Sequence, residues 1–81
     1  MIKIERVVSW YGKDTDELVS EKNIDSVQLE ILREIFSQSA EDPLMYRPYN
    51  IMEKEGRELS RLIELKFDFD KYVYQLECFQ I

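Results

Sequence analysis

Both ends of this chain are written in the two-residue period of a β-strand, and the stretch between them is not. Residues 71–80, KYVYQLECFQ, put Tyr72, Tyr74, Leu76 and Cys78 on one side and Val73, Gln75, Glu77 and Phe79 on the other. Residues 2–11, IKIERVVSWY, are rich in β-branched and aromatic residues, with Ile2, Ile4, Val8 and Trp10 on one side. A chain of 81 residues makes one domain, residues 1–81. A domain this small hides only about 60% of its accessible surface on folding, so its core is thin. The last strand is expected to pair with the first, which then lies centrally. Arg6 interrupts the apolar side of the first strand, which implies either an edge position there or a bulge near Val7-Val8.

Between the two ends the signals change. Gly12-Lys13-Asp14-Thr15-Asp16 is turn chemistry, and Glu17–Glu21 can return as a short second strand to close a hairpin. Residues 25–38 carry a helical stripe of Leu29, Leu32, Ile35 and Phe36, flanked by Ile31, with Glu30, Glu34 and Gln38 outward. Asp25 suits an N-cap, Gln28 resembles the far member of a capping box, and Ile24 with Leu29 suggests a hydrophobic staple. Pro43 and Pro48 forbid one continuous helix through residues 39–49, so a structured connection bearing Met45, Tyr46 and Tyr49 is expected. A second helix is expected to start from Asn50 as N-cap with Glu53 completing its box, burying Ile51, Met52, Leu59, Leu62 and Ile63. Gly56 inside it costs about 1 kcal/mol of helix propensity and points to close approach of a neighbour. Phe67-Asp68-Phe69-Asp70 ends it. The expected fold is α+β: a three-stranded antiparallel sheet in the order β-β-α-α-β, with two helices packed on one face. Its open face would mix Val19, Val73 and Phe79 with Glu17, Glu21, Gln75 and Glu77, a composition suited to protein docking.

The residue inventory excludes most catalytic chemistry. There is no histidine, so the commonest general base and metal ligand are missing and neither a Ser-His-Asp nor a Cys-His site can be built. One cysteine, Cys78, makes neither an internal disulfide nor a zinc site. The two glycines, Gly12 and Gly56, are isolated and form no phosphate-cradling loop. Asp14-Thr15-Asp16-Glu17 lacks the spacing of a calcium loop. The chain therefore reads as a non-enzyme without cofactor, metal or small-molecule substrate. No run of residues approaches the roughly 20 that a membrane helix needs, and the charged N-terminal stretch is unlike a signal peptide, so a cytoplasmic location is expected.

Charge is placed unevenly. Residues 13–42 hold nine acids and three bases and so carry the whole net −6, whereas residues 43–81 hold seven acids and six bases. Nucleic acid and anionic membrane would be repelled, and a basic protein attracted. The carboxylates placed to supply that field are Asp14, Asp16, Glu17, Glu21, Glu30, Glu34, Glu41 and Asp42. Tyr46 and Tyr49, in the proline-bearing connection, are the candidate aromatic anchors.

Several short stretches carry a likeness to a known class. They are Trp10-Tyr11 closing the first strand, Glu17-Leu18-Val19 after the turn, Ile35-Phe36 ending the helix, Asp42-Pro43 leading to Tyr49-Asn50-Ile51, and Tyr72-Val73-Tyr74-Gln75-Leu76-Glu77. With this architecture they resemble the small cytoplasmic immunity proteins of bacterial polymorphic toxin systems, including contact-dependent growth inhibition. The resemblance implies stoichiometric inhibition of a cognate toxin domain, many such toxins being basic nucleases. It carries over no individual residue. Two other classes fit the same composition: an adaptor with a host-protein partner, and a homo-oligomer using the open sheet face or the edge of the last strand.

Overall fold

A computed structural model describes residues 3–37 and 41–81. Expectations that fall on Ile2, Gln38, Ser39 and Ala40 lie outside these residues. The elements run β1 (Ile4–Gly12), β2 (Leu18–Asn23), α1 (Leu29–Ile35), β3 (Tyr49–Ile51), α2 (Glu53–Leu59) and β4 (Tyr72–Gln80). The sheet is antiparallel and four-stranded, in the order β2-β1-β4-β3. The terminal strands pair along their whole length, from Ile4 opposite Gln80 to Gly12 opposite Tyr72. Long-range pairing thus joins the two ends of the chain, and both of these strands are interior.

The expected three-stranded sheet is corrected by β3. Tyr49-Asn50-Ile51 adds to the free side of β4, with Tyr49 opposite Leu76 and Ile51 opposite Tyr74. Three residues beside Pro48 are too few to display an alternation, and the strand exists because β4 offers an unpaired backbone edge. The edge of β4 is therefore covered at Tyr74–Leu76, and the sheet's edge strands are β2 and β3. Arg6 lies neither on an edge strand nor at a bulge. The register shift against β2 falls between Trp10 and Tyr11. Arg6 faces the covered side, and its guanidinium donates to the Leu44 carbonyl at 2.6 Å.

Both helices are shorter than expected, at seven residues each. Asp25 does not cap α1. Its carboxylate accepts the Arg6 backbone N–H at 2.9 Å and the Asn23 amide at 3.1 Å, which ties the end of β2 to β1. A side chain spent on a neighbouring strand cannot also cap, and the helix begins after Gln28 instead. Asn50 is likewise drawn into β3, where Gln75 donates to its side-chain oxygen. The box at α2 closes two residues later, with the Met52 N–H donating to the Glu55 carboxylate at 3.0 Å. After Leu59 the chain continues in turns to Ile63, whose N–H still reaches the Leu59 carbonyl. Ile51, Leu59 and Ile63 are buried as expected, whereas Met52 and Leu62 are exposed.

The core lies between the helices and one sheet face. Val8, Tyr74 and Leu76 from the sheet meet Leu32, Phe36, Leu59, Ile63 and Met45. Leu29 and Ile35 pack against this cluster from α1. Beside it Phe67 and Phe69 stack at 5.5 Å, and both present edges to Tyr74 at 4.7 and 5.2 Å. Gly56 permits this nest, since a Cβ there would lie 2.7 Å from the Phe69 ring. Among the described residues no helix is long and apolar enough to cross a membrane.

Candidate protein-binding site

Alternation along paired strands decides what the uncovered sheet face presents. Glu5, Val7, Ser9 and Tyr11 of β1 stand opposite Phe79, Glu77, Gln75 and Val73 of β4. From the edges, Asn23 and Glu21 of β2 join them opposite Val7 and Ser9, and Asn50 of β3 opposite Gln75. The two bases within these strands, Arg6 and Lys22, fall on the covered side with Val8. The open face is therefore acidic and apolar at once. Leu18, Val73 and Phe79 are 54%, 40% and 44% exposed around it, while Val7 and Ser9 form a fully buried floor.

At the centre of this face stands Glu77. The Ser9 hydroxyl donates to one carboxylate oxygen at 2.6 Å, and the Tyr11 hydroxyl lies 3.2 Å from both. Burial, and then the Glu77 charge beside it, raise the Tyr11 phenol above its ordinary value, so Tyr11 stays a donor at neutral pH. Two hydroxyls thus fix the orientation of a half-buried carboxylate, leaving lone pairs free for a further donor. The sequence places Glu77 on the open face, but its cradle depends on the register of strands 66 and 68 positions apart.

The acids singled out from the sequence do not form one patch. Asp14, Asp16 and Glu17 crowd the hairpin tip, which is closed by the Gly12 N–H on the Glu17 carbonyl and the Asp16 N–H on the Gly12 carbonyl. Asp16 takes a left-handed conformation there, with φ 58°. Glu17 precedes β2 and so lies off the strand face, and Val19 falls at the register shift. Glu21 lies on the open face opposite Ser9. Glu30 and Glu34 are exposed on α1. The groove between α1 and α2, about 430 Å³, sets Glu34 and Glu58 beside Lys54 and Arg61, all four exposed to solvent. Glu41 is exposed beside Asp42, in the segment that bears Tyr46.

Asp42 and the two candidate anchors separate in the same way. The Asp42 carboxylate accepts the backbone N–H of Tyr46 and of Arg47, and the Tyr49 hydroxyl at 2.8 Å. The Arg47 N–H does most to hold Asp42 below the usual carboxylate range. Its work is to shape the loop around Met45, which is buried with φ 52°. Tyr49 is half-buried, its ring 5.9 Å from Phe36, and desolvation followed by the bond to Asp42 raises its phenol. Tyr46 is 52% exposed and lies over Ile4, Cys78 and Gln80. Tyr46 is thus the candidate anchor with a ring open to solvent.

A family model described as a domain of unknown function, DUF7683, matches residues 5–77. No curated protein and no solved structure matches the chain.

Proposed function

The chain belongs to the DUF7683 family, and we propose that this member is an immunity protein, which binds a cognate bacterial toxin domain, a basic nuclease, and blocks it one copy to one. The observation that carries this reading is the open sheet face, where carboxylates stand among exposed apolar residues and the strands contribute no base. A net charge of −6 adds a long-range field that attracts a basic partner and repels nucleic acid. The lack of histidine supports inhibition by occupancy rather than by chemistry. A nuclease cleft is basic because it holds a polyphosphate, and an acidic inhibitor competes for the same field. The resemblance to immunity proteins supplies the toxin as partner.

Co-expression with the toxin domain encoded beside this gene is the direct test. Cells carrying both are expected to grow, and cells that die as fast as with the toxin alone would refute the proposal. A second reading draws on β2, an exposed edge strand with Leu18 and Val19 open to solvent. It makes the chain a homo-oligomer, and a stable dimer in light scattering at low concentration would favour it. An adaptor with a host-protein partner would be favoured by a gene neighbourhood without a toxin.

A further inference from the structure

We propose that the open sheet face grips the partner, and that the Glu77 carboxylate receives an arginine or lysine from a basic protein surface. This rests on the function proposed above and adds where and how the partner is held. On the open face Glu77 is the carboxylate that two hydroxyls orient, and it has no ion-pair partner among the described residues. Asp25 and Asp42 spend their oxygens inside the fold, on backbone N–H groups and on the Asn23 amide and Tyr49 hydroxyl. Asp14 and Asp16 are exposed at the hairpin tip, where water competes for any contact. Glu34 lines the groove between the helices with Lys54 and Arg61, and Glu58 pairs with Arg61 at 3.9 Å. Glu77 is half-buried, steadied by the Ser9 and Tyr11 hydroxyls, and the ion pair found among the described residues lies elsewhere, between Arg61 and Glu58.

The surroundings select the occupant. Phe79, next to Glu77 on the same face of β4, can exclude water around a cation seated there, which strengthens that contact, while Val73 and Leu18 lie toward the hairpin and extend the apolar margin. A second copy docking through the same face would bring carboxylates toward carboxylates, since Glu5, Glu21 and Glu77 all lie on it. A basic protein surface with apolar margins complements the face in both charge and polarity.

The test uses calorimetric titration and stopped-flow dissociation with the toxin domain encoded by the neighbouring gene. The chains compared are wild type, Glu77→Gln, Val73→Lys and the double variant Glu30→Gln/Glu34→Gln. Glu77→Gln keeps an acceptor for Ser9 and Tyr11, and Val73→Lys alters an exposed position, so both are expected to fold; thermal melts check this. Glu77→Gln is expected to weaken binding by about 30-fold or more, through faster dissociation. Val73→Lys is expected to weaken it at least as much, and the helix variant by less than about 5-fold. Wild-type affinity in both sheet-face variants would overturn this inference and leave the proposed function standing. A wild-type chain that does not bind the toxin domain would overturn both.

Discussion

Two aspartates show how far a residue's role depends on partners distant in the chain. Asp25 looks like a helix cap because capping rules count only the next few residues. Its strongest partner is the N–H of Arg6, nineteen positions upstream, and that bond, then the one from Asn23, holds its carboxyl below the usual range. For a depressed carboxyl the unfolded chain takes up the proton first. The stability it lends is present above about pH 4, the ordinary value, and is lost as pH falls through the lower folded value. Asp25→Asn is therefore expected to lower stability at pH 7 by about 1 kcal/mol and to flatten the loss on acidification. Urea unfolding at pH 7 and pH 3 measures both effects. An unchanged acid dependence would mean that Asp25 is not the group responsible. The cradle of Glu77 was illegible for the same reason, because Ser9, Tyr11 and Glu77 meet only once β1 and β4 are in register.

Elements were legible in proportion to their length and regularity. β1 and β4, with nine residues each, announce themselves by alternation, and so does their pairing. β3 has three residues and no local signal, α1 lost its first turn where Asp25 was recruited by the sheet, and α2 lost its first two residues where Asn50 was. Gly56 is the exception, a single residue whose presence in α2 correctly implies a close neighbour. Gly56→Ala sets two effects against each other. Alanine gains about 1 kcal/mol in helix propensity. Against that, its Cβ would meet Phe69 at 2.7 Å, and Phe69 is held by Phe67 and Tyr74 and has little room to yield. Overpacking of that kind costs about 1–3 kcal/mol, so net destabilisation near 1 kcal/mol is expected. In a Phe69→Leu background the same substitution should be less harmful, a coupling that a double-mutant cycle reads directly. A stabilising Gly56→Ala would show that the ring moves aside freely.

At the scale of the molecule, charge that is concentrated along the chain is spread in space. The acids of the hairpin tip lie beyond Gly12, Glu30 and Glu34 stand on α1, and Asp42, in the loop before β3, is bonded to Tyr49, on a body 37 Å long. Contiguity along the chain could reveal the sign of the field but not its shape, because the hairpin, α1 and the loop before β3 carry successive acids in different directions. At a screening length of ~8 Å under physiological salt, groups so separated act on a distant partner as a diffuse net charge rather than as one patch. Two kinds of variant should then behave differently. Asp14→Asn/Asp16→Asn and Glu30→Gln/Glu34→Gln remove the same charge from different places, and both are expected to slow association with the toxin domain by a similar, modest factor. Raising salt should erase the difference from wild type and leave dissociation unchanged. Changes on the open sheet face should leave association nearly intact and speed dissociation, because they act after the partners have met. Stopped-flow association at several salt concentrations separates the two. If the hairpin pair slowed association far more than the helix pair, a local contact at the tip would replace the diffuse field as the source of attraction.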